Sequence, residues 1–209
     1  PDPVMRAYYD TAARFGIPAE TMSTYFQAMR DDLTINRFPT FGDLLRYMDG
    51  SAVPVGRAMT YILGTRQPYT LEQALPGADA LSIAMQLSNF WRDIGEDWAR
   101  IGRVYIPQED LARFGYEEAD LAAGRVDRRF VNLLEFEFER TERYYAQARE
   151  SVMMLGAGRW GVMSGLEIYR AILPGIRRNG YDVFSQRARA TDLRKAGLVA
   201  RSVLAWLAW

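Results

Sequence analysis

Five polar side chains in ADALSIAMQLSNFWRDIGEDW, residues 78–98, are spaced for a single line of chemistry. Ser82, Gln86, Asn89, Asp93 and Asp97 follow one another at steps of 4, 3, 4 and 4, or 15 positions in all. An α-helix repeats every 3.6 residues, so the five lie along one face. Among them stand Leu81, Ile83, Met85, Leu87, Phe90, Trp91 and Ile94. A surface helix carries an apolar stripe on a polar background. Here a narrow polar stripe runs through an apolar background, which predicts a buried helix whose stripe faces something polar inside. Buried carboxylates are costly unless paired or metal-bound. Asn89, Asp93 and Asp97 present oxygens suited to one or two Mg²⁺ ions and, through them, to a diphosphate. Arg92, on the flank, could take phosphate oxygens directly. The same spacing also suits a solvated acidic face near a helix end, with Arg92 and Arg100 as ion-pair partners. Periodicity does not separate the two readings.

Composition narrows the chemistry. The 209 residues include no His and no Cys. That removes Ser-His-Asp catalysis, thiol nucleophiles, disulfides and most transition-metal sites. Carboxylates and amides bind hard cations through oxygen, so any metal chemistry points to magnesium. Lys+Arg and Asp+Glu are both 26, and this balance leaves no electrostatic footprint for nucleic acid. Apolar residues make up 49% and charged residues 25%, which predicts one globular domain over residues 1–209. No run approaches the roughly 20 apolar residues of a membrane-spanning helix, and no signal peptide opens the chain.

The elements that must position these residues read as helices throughout, with no alternating run long enough for a strand. The pattern predicts helices over residues 4–15 and 20–30. A third should open at Thr40, with Asp43 as acidic cap, and run to about Leu63 with a kink near residues 50–54. Thr70 and Gln73 form a capping box for a short stretch ending at Pro76-Gly77, ahead of the helix over 78–98. Residues 99–107 read as a loop, 108–114 and 117–123 as short helices, and 128–155 as a long one. Helices over 160–178 and 191–209 complete the chain. The expected fold class is all-α, without internal repeats.

QLSNFWRDIGED, residues 86–97, resembles the second aspartate-rich motif of the phytoene/squalene synthase family, and GRVYIPQEDL, residues 102–111, resembles the segment that trails it. YMDGSAVPVG (47–56) and IYRAILPGIRRNGYDVF (168–184) resemble neighbouring family segments, and the opening from Pro3 to Asp32 fits the family's middle region. The resemblance spans essentially the whole chain and is most specific over 86–111. It implies an isoprenoid-synthase helical bundle around a central cavity. It also implies head-to-head joining of two allylic prenyl diphosphates through a cyclopropylcarbinyl diphosphate, with phytoene synthase ahead of squalene or dehydrosqualene synthase. The cofactor it implies is Mg²⁺, or Mn²⁺ in its place. By the same resemblance Asn89, Asp93 and Asp97 are metal ligands, Gln86 and Arg92 contact substrate diphosphate, and Tyr47 and Tyr105 are cavity tyrosines. Tyr169 stands near the diphosphate as a catalytic residue beside Asp93 and Asp97, and Val55 and Gly56 belong to the cavity wall. Tyr47 and Tyr169 also suit core positions with satisfied hydroxyls, and Gly56 suits a helix-packing glycine.

The family's first motif, Asp-x-x-x-Asp, would precede the region matched by Pro3 to Ile17 and is not in the chain. Asp32 to Asn36 has that spacing but matches a separate mid-chain Asp. Glu135, Glu137 and Glu139 read as a solvated face of the long helix. The expectation is therefore the C-terminal part of a longer enzyme, lacking the first helices and weakly active or inactive alone. A non-catalytic relative acting as an assembly protein, and a head-to-tail prenyltransferase or cyclase, are the other readings. The complete second motif argues against the former and the motif spacing against the latter. NADPH use and C30 against C40 product are not legible, and neither is oligomeric state. An enzyme of this kind is expected in the cytoplasm, touching the membrane peripherally to release product. The apolar LVARSVLAWLAW, residues 198–209, reads as a core-packing last helix or a membrane-touching face.

Overall fold

The computed structural model describes residues 2–186 and Gly197. Apart from Gly197, the helix expected over 191–209 lies outside these residues. The described chain folds as ten helices with one isolated β-bridge, Thr65 to Leu155. They are α1 (Pro3–Phe15), α2 (Ala19–Asp31), α3 (Phe41–Ser51), α4 (Val53–Leu63), α5 (Leu71–Ile101), α6 (Gln108–Arg113), α7 (Glu118–Ala122), α8 (Arg128–Val152), α9 (Arg159–Arg170) and α10 (Ile172–Arg178).

Local chemistry sets most of the boundaries. Asp2 caps α1, accepting from the backbone N–H of Val4 at 2.7 Å. Reciprocal capping boxes open α3 (Thr40 with Asp43) and α5 (Thr70 with Gln73). Gly102 ends α5 in the left-handed conformation, φ 61°, which costs glycine nothing because it has no Cβ.

Three of the differences from the expected boundaries involve a proline. The predicted helix over 40–63 is two helices, broken at Ala52, and Pro54 stands in the first turn of α4, where its missing N–H leaves no bond unmade. The predicted 160–178 helix likewise restarts after Ala171. Pro174 has no N–H for the Arg170 carbonyl, and its ring would crowd that carbonyl in a continuous helix. Pro76 does the opposite: α5 runs through it unbroken. It falls in the second turn on an exposed face, so the Glu72 carbonyl it leaves open can turn to water.

α5 is the axis of the molecule, packed against α8 on one side and α4 on another. Leu87 and Trp91 are fully buried, with Phe90 and Ile83 nearly so. The polar contacts on this side are satisfied. Trp91 Nε1 donates to Thr141 Oγ1 at 2.9 Å, Thr141 Oγ1 donates to the Glu137 carbonyl at 2.8 Å, and the Ser88 and Tyr145 hydroxyls lie 2.7 Å apart. These pairs show that α8 runs antiparallel to α5.

The solvated-face expectation for residues 135–139 is corrected here. Glu139 is exposed and Glu135 pairs with Arg177, but Glu137 is fully buried. It is in register with Phe130, Leu134, Thr141, Tyr145, Ala148 and Val152 on the core stripe of α8. Arg140 Nη1 donates at 2.9 Å to both Glu137 carboxyl oxygens and at 2.8 Å to buried Asp110. Its guanidinium stacks over Phe41 and Phe136, 4.0 and 4.6 Å from the ring centroids. One cation thus serves two carboxyls. Burial pushes the Glu137 carboxyl up to about 8, against the pull of Arg140 and with the repulsion of Asp110. The folded state therefore keeps a proton that the unfolded chain releases above 4.5, so stability falls as pH rises from 4.5 to about 8. Glu137→Gln keeps the shape and removes this loss. Its melting temperature relative to wild type should climb between pH 5 and pH 8 and level off above. Parallel melting curves across that range would mean that Glu137 is ionised in the fold.

Candidate functional site

A cleft of about 450 Å³ opens along α5. Its α5 wall runs from Ala74 to Asn89, about 22 Å at 1.5 Å per residue. α4 contributes Val55, Gly56 and Met59, while α9 contributes Val162, Gly165 and Tyr169. The wall is mostly apolar, and Val55 and Met59 are about half exposed at its rim. The hydroxyls of Ser51, Thr60 and Ser82 each donate at 2.9 Å to the carbonyl four residues earlier on their own helix. Their hydrogens are therefore turned away from the cleft.

The polar pole is at the Asn89 end, where Gln86, Asn89 and Tyr169 line the cleft together. Asn89 Oδ1 is buried and has no hydrogen-bond partner. An unsatisfied buried acceptor costs about 1–3 kcal/mol, so this oxygen is set up for a ligand. Asp93 and Asp97 continue the row one and two turns beyond Asn89 and do not line the cleft itself. Asp93 accepts from Arg92 Nε at 2.8 Å and Nη2 at 2.6 Å, while Arg100 pairs with Glu96 at 2.8 Å. Ser82, Gln86 and Asn89 line the cleft, while further along Arg92 pairs with Asp93 and Arg100 with Glu96. Arg92, expected on a phosphate, is engaged by the neighbouring carboxylate.

Among the described residues no group of three or more His, Cys, Asp or Glu is placed to hold a metal ion. The oxygen donors in this row are the Asn89 amide and the Asp93 and Asp97 carboxylates. Three oxygen donors at four-residue steps, one of them buried and unpaired, fit a hard divalent cation such as Mg²⁺ or Mn²⁺.

Val55 and Gly56 stand on the cleft wall, and Gly56 is a packing glycine as well. A Cβ there would lie 2.0 Å from Ser82 Oγ and 3.2 Å from the Ala78 carbonyl, so the absent side chain sets how closely α4 approaches α5. Tyr47 and Tyr105 are elsewhere, in an aromatic group with Phe38 and Phe90. Tyr105 stacks on Phe90 with ring centroids 3.7 Å apart. Tyr47 donates to Asp32 Oδ1 at 2.7 Å, and burial raises its pKa. Arg103 ties this group together, donating to Asp32 Oδ1 at 2.7 Å and to Tyr105 Oη at 3.0 Å. Asp32, set aside in the sequence as a motif candidate, is thus an anchor that holds the segment following α5. Sequence reasoning missed the wall residues Met59, Leu63, Leu81, Met85, Val162 and Leu155. Met85 and Leu81 do flank the polar stripe, but nothing in the pattern separates wall from core.

The family model described as squalene/phytoene synthase matches residues 1–194. The phytoene synthase of Arthrospira platensis is 39% identical over 208 residues, covering 93% of this chain and 66% of that protein. The 15-cis-phytoene synthase of Synechococcus elongatus is 38% identical, covering 90% of this chain and 64% of that protein. The chain therefore spans just under two thirds of the length of these relatives. A dehydrosqualene synthase crystallised with ligand superposes with a TM-score of 0.90 at 26% identity, covering 100% of this chain and 72% of that one. The squalene synthase HpnC from Alicyclobacillus acidocaldarius superposes with a TM-score of 0.76 at 30% identity, covering 87% and 68%.

Proposed function

The chain belongs to the squalene/phytoene synthase family and has the all-helical fold of its structural neighbours, and from that premise we propose that it takes part in head-to-head condensation of two allylic prenyl diphosphates. The observation that carries this reading is the cleft itself, a long apolar groove ending at the buried, unpartnered Asn89 oxygen. A prenyl diphosphate has the same asymmetry, a greasy chain with one dense anionic end. The phytoene synthases among the relatives favour geranylgeranyl diphosphate as substrate and phytoene as product. The likeness to dehydrosqualene synthase favours the shorter farnesyl diphosphate and a C30 product.

Each group has a role in this reading. Gln86 and Tyr169 face the diphosphate end with an amide and a hydroxyl able to donate to phosphate oxygens. Asn89, Asp93 and Asp97 would hold the cation, and Arg92 orients the Asp93 carboxylate through two hydrogen bonds. When bound, Mg²⁺ supplies a Lewis acid that stabilises the departing diphosphate. The apolar wall keeps water from the allylic cation left behind. The second prenyl chain then attacks through its double bond and loses a proton to the departed diphosphate as the ring closes to the cyclopropylcarbinyl diphosphate; departure of its own diphosphate, rearrangement and loss of a second proton yield the linear product. Among the described residues no helix is long and apolar enough to cross a membrane. We propose a cytoplasmic enzyme that delivers its apolar product at a membrane surface.

Incubating the intact protein with geranylgeranyl or farnesyl diphosphate and Mg²⁺, then extracting hydrocarbons, tests the reading. Phytoene from the C20 substrate is the expected result. A C30 hydrocarbon from farnesyl diphosphate alone would move the assignment to the shorter product. No hydrocarbon from either would leave a non-catalytic assembly role in its place.

A further inference from the structure

Behind the acidic row, the chain crosses the back of α5. Successive residues of an α-helix are turned by about 100°, so Gly95 stands about 160° around the helix from both Asp93 and Asp97. The helix presents no side chain at Gly95, and the turn after α10 lies against it. A Cβ there would come 2.7 Å from Phe184 Cα, 2.7 Å from the Val183 carbonyl oxygen and 3.3 Å from the Phe184 carbonyl oxygen. Backbone meets backbone here, with no side chain between them that could yield.

The turn is itself firmly held. Tyr181 adopts φ 63°, a left-handed conformation that a bulky residue keeps only where its surroundings impose it. Its N–H donates to the Ile176 carbonyl at 2.9 Å and its hydroxyl to Glu135 Oε1 at 2.6 Å. The same carboxylate takes Arg177 Nε and Nη2, each at 2.7 Å. Asp182 Oδ1 accepts from the Phe184 N–H at 3.1 Å and the Ser185 N–H at 2.8 Å. Val183 is buried. The Phe184 ring packs on Phe130 of α8, with centroids 5.3 Å apart, and on Gly124 just past α7, where an added Cβ would stand 3.5 Å from it.

We infer that residues 181–184 form a rigid strap that backs the acidic row, and that Phe184 is a positioning residue for the divalent cation. The inference rests on reading Asn89, Asp93 and Asp97 as the metal site. Carboxylates drawn onto a cation pull on the helix that carries them, and a helix free to shift would spoil their placement. Asp93 and Asp97 lie beyond the cleft wall, and the strap meets α5 on the opposite face at their level. Phe184 therefore acts only through the α5 backbone. Groups that fix the position of metal ligands typically contribute roughly 10- to 100-fold in metal affinity.

Mn²⁺ binding to the intact protein with inorganic diphosphate, read from the electron paramagnetic resonance signal of free Mn²⁺, tests this without turnover. Phe184→Ala should weaken binding by roughly 10-fold or more. Phe184→Leu keeps most of the volume and should weaken it by roughly threefold or more, which serves if the alanine variant does not fold. Leu44→Val, a truncation in the core on α3, is the control for general loosening and should leave Mn²⁺ affinity unchanged. The inference is overturned if the folded Phe184 variants bind Mn²⁺ within about twofold of wild type, or if Leu44→Val weakens binding as much as they do. Wild-type protein that binds no Mn²⁺ with diphosphate, or Asp93→Asn that binds it as well as wild type, would instead sink the metal reading beneath it.

Discussion

Asp93→Asn in the intact protein lowers kcat/KM by roughly 10²- to 10³-fold, the scale of losing one preorganised charge-stabilising group. The substitution keeps the shape and removes the charge, so the loss falls on ionisation of the substrate rather than on the fold. Asp93 is only 15% exposed at its side chain and is gripped by both Arg92 nitrogens. Loosening that part-buried pair costs about 1–3 kcal/mol, a fall of roughly 2–12 °C in melting temperature for a chain of this size. Activity is therefore read below the variant's own melting temperature. The variant should also bind Mg²⁺ with diphosphate more weakly in calorimetry. Wild-type kcat/KM in Asp93→Asn would show that the acidic row does not hold the metal.

Gly95→Ala should destabilise the protein, although helix propensity alone argues the reverse. In an exposed helix interior, replacing Gly by Ala stabilises by about 1 kcal/mol. Gly95, however, lies against the segment after α10. A Cβ there would stand 2.7 Å from Phe184 Cα and 2.7 Å from the Val183 carbonyl oxygen. Both are backbone atoms that cannot rotate aside, and Phe184 is itself wedged against Phe130. Overpacking of this kind costs about 1–3 kcal/mol, which less the propensity gain of about 1 kcal/mol leaves a net loss of up to about 2 kcal/mol and lowers the melting temperature by up to about 8 °C. Gly161→Ala is the control. No atom lies within 4 Å of its Cβ position, so there the propensity gain should stand. Because Gly95 sits between Asp93 and Asp97, the clash should also disturb the acidic row. A Gly95→Ala variant that melts above wild type would mean the 183–184 segment does not pack on α5 in solution.

Much of this molecule was legible in its residues. The capping pairs Thr40 with Asp43 and Thr70 with Gln73, the helical character of the described chain, and the alignment of Ser82, Gln86, Asn89, Asp93 and Asp97 are all decided within one or two turns of chain. Short-range hydrogen bonding and a fixed 3.6-residue repeat need no distant partner, so local sequence contains the whole cause. Tertiary structure decided everything that depends on which surfaces meet. It placed Gln86 and Asn89 beside a hollow and paired Arg92 with Asp93. It moved Tyr47 and Tyr105 into an aromatic group around Asp32 and Arg103. It buried Glu137, whose place in the register of α8 was visible but whose single cation, Arg140 shared with Asp110, was not. It also laid Val183 and Phe184 across Gly95. Each of these brings together residues far apart in the chain, and packing between surfaces, which periodicity along a single helix does not encode, determines the outcome.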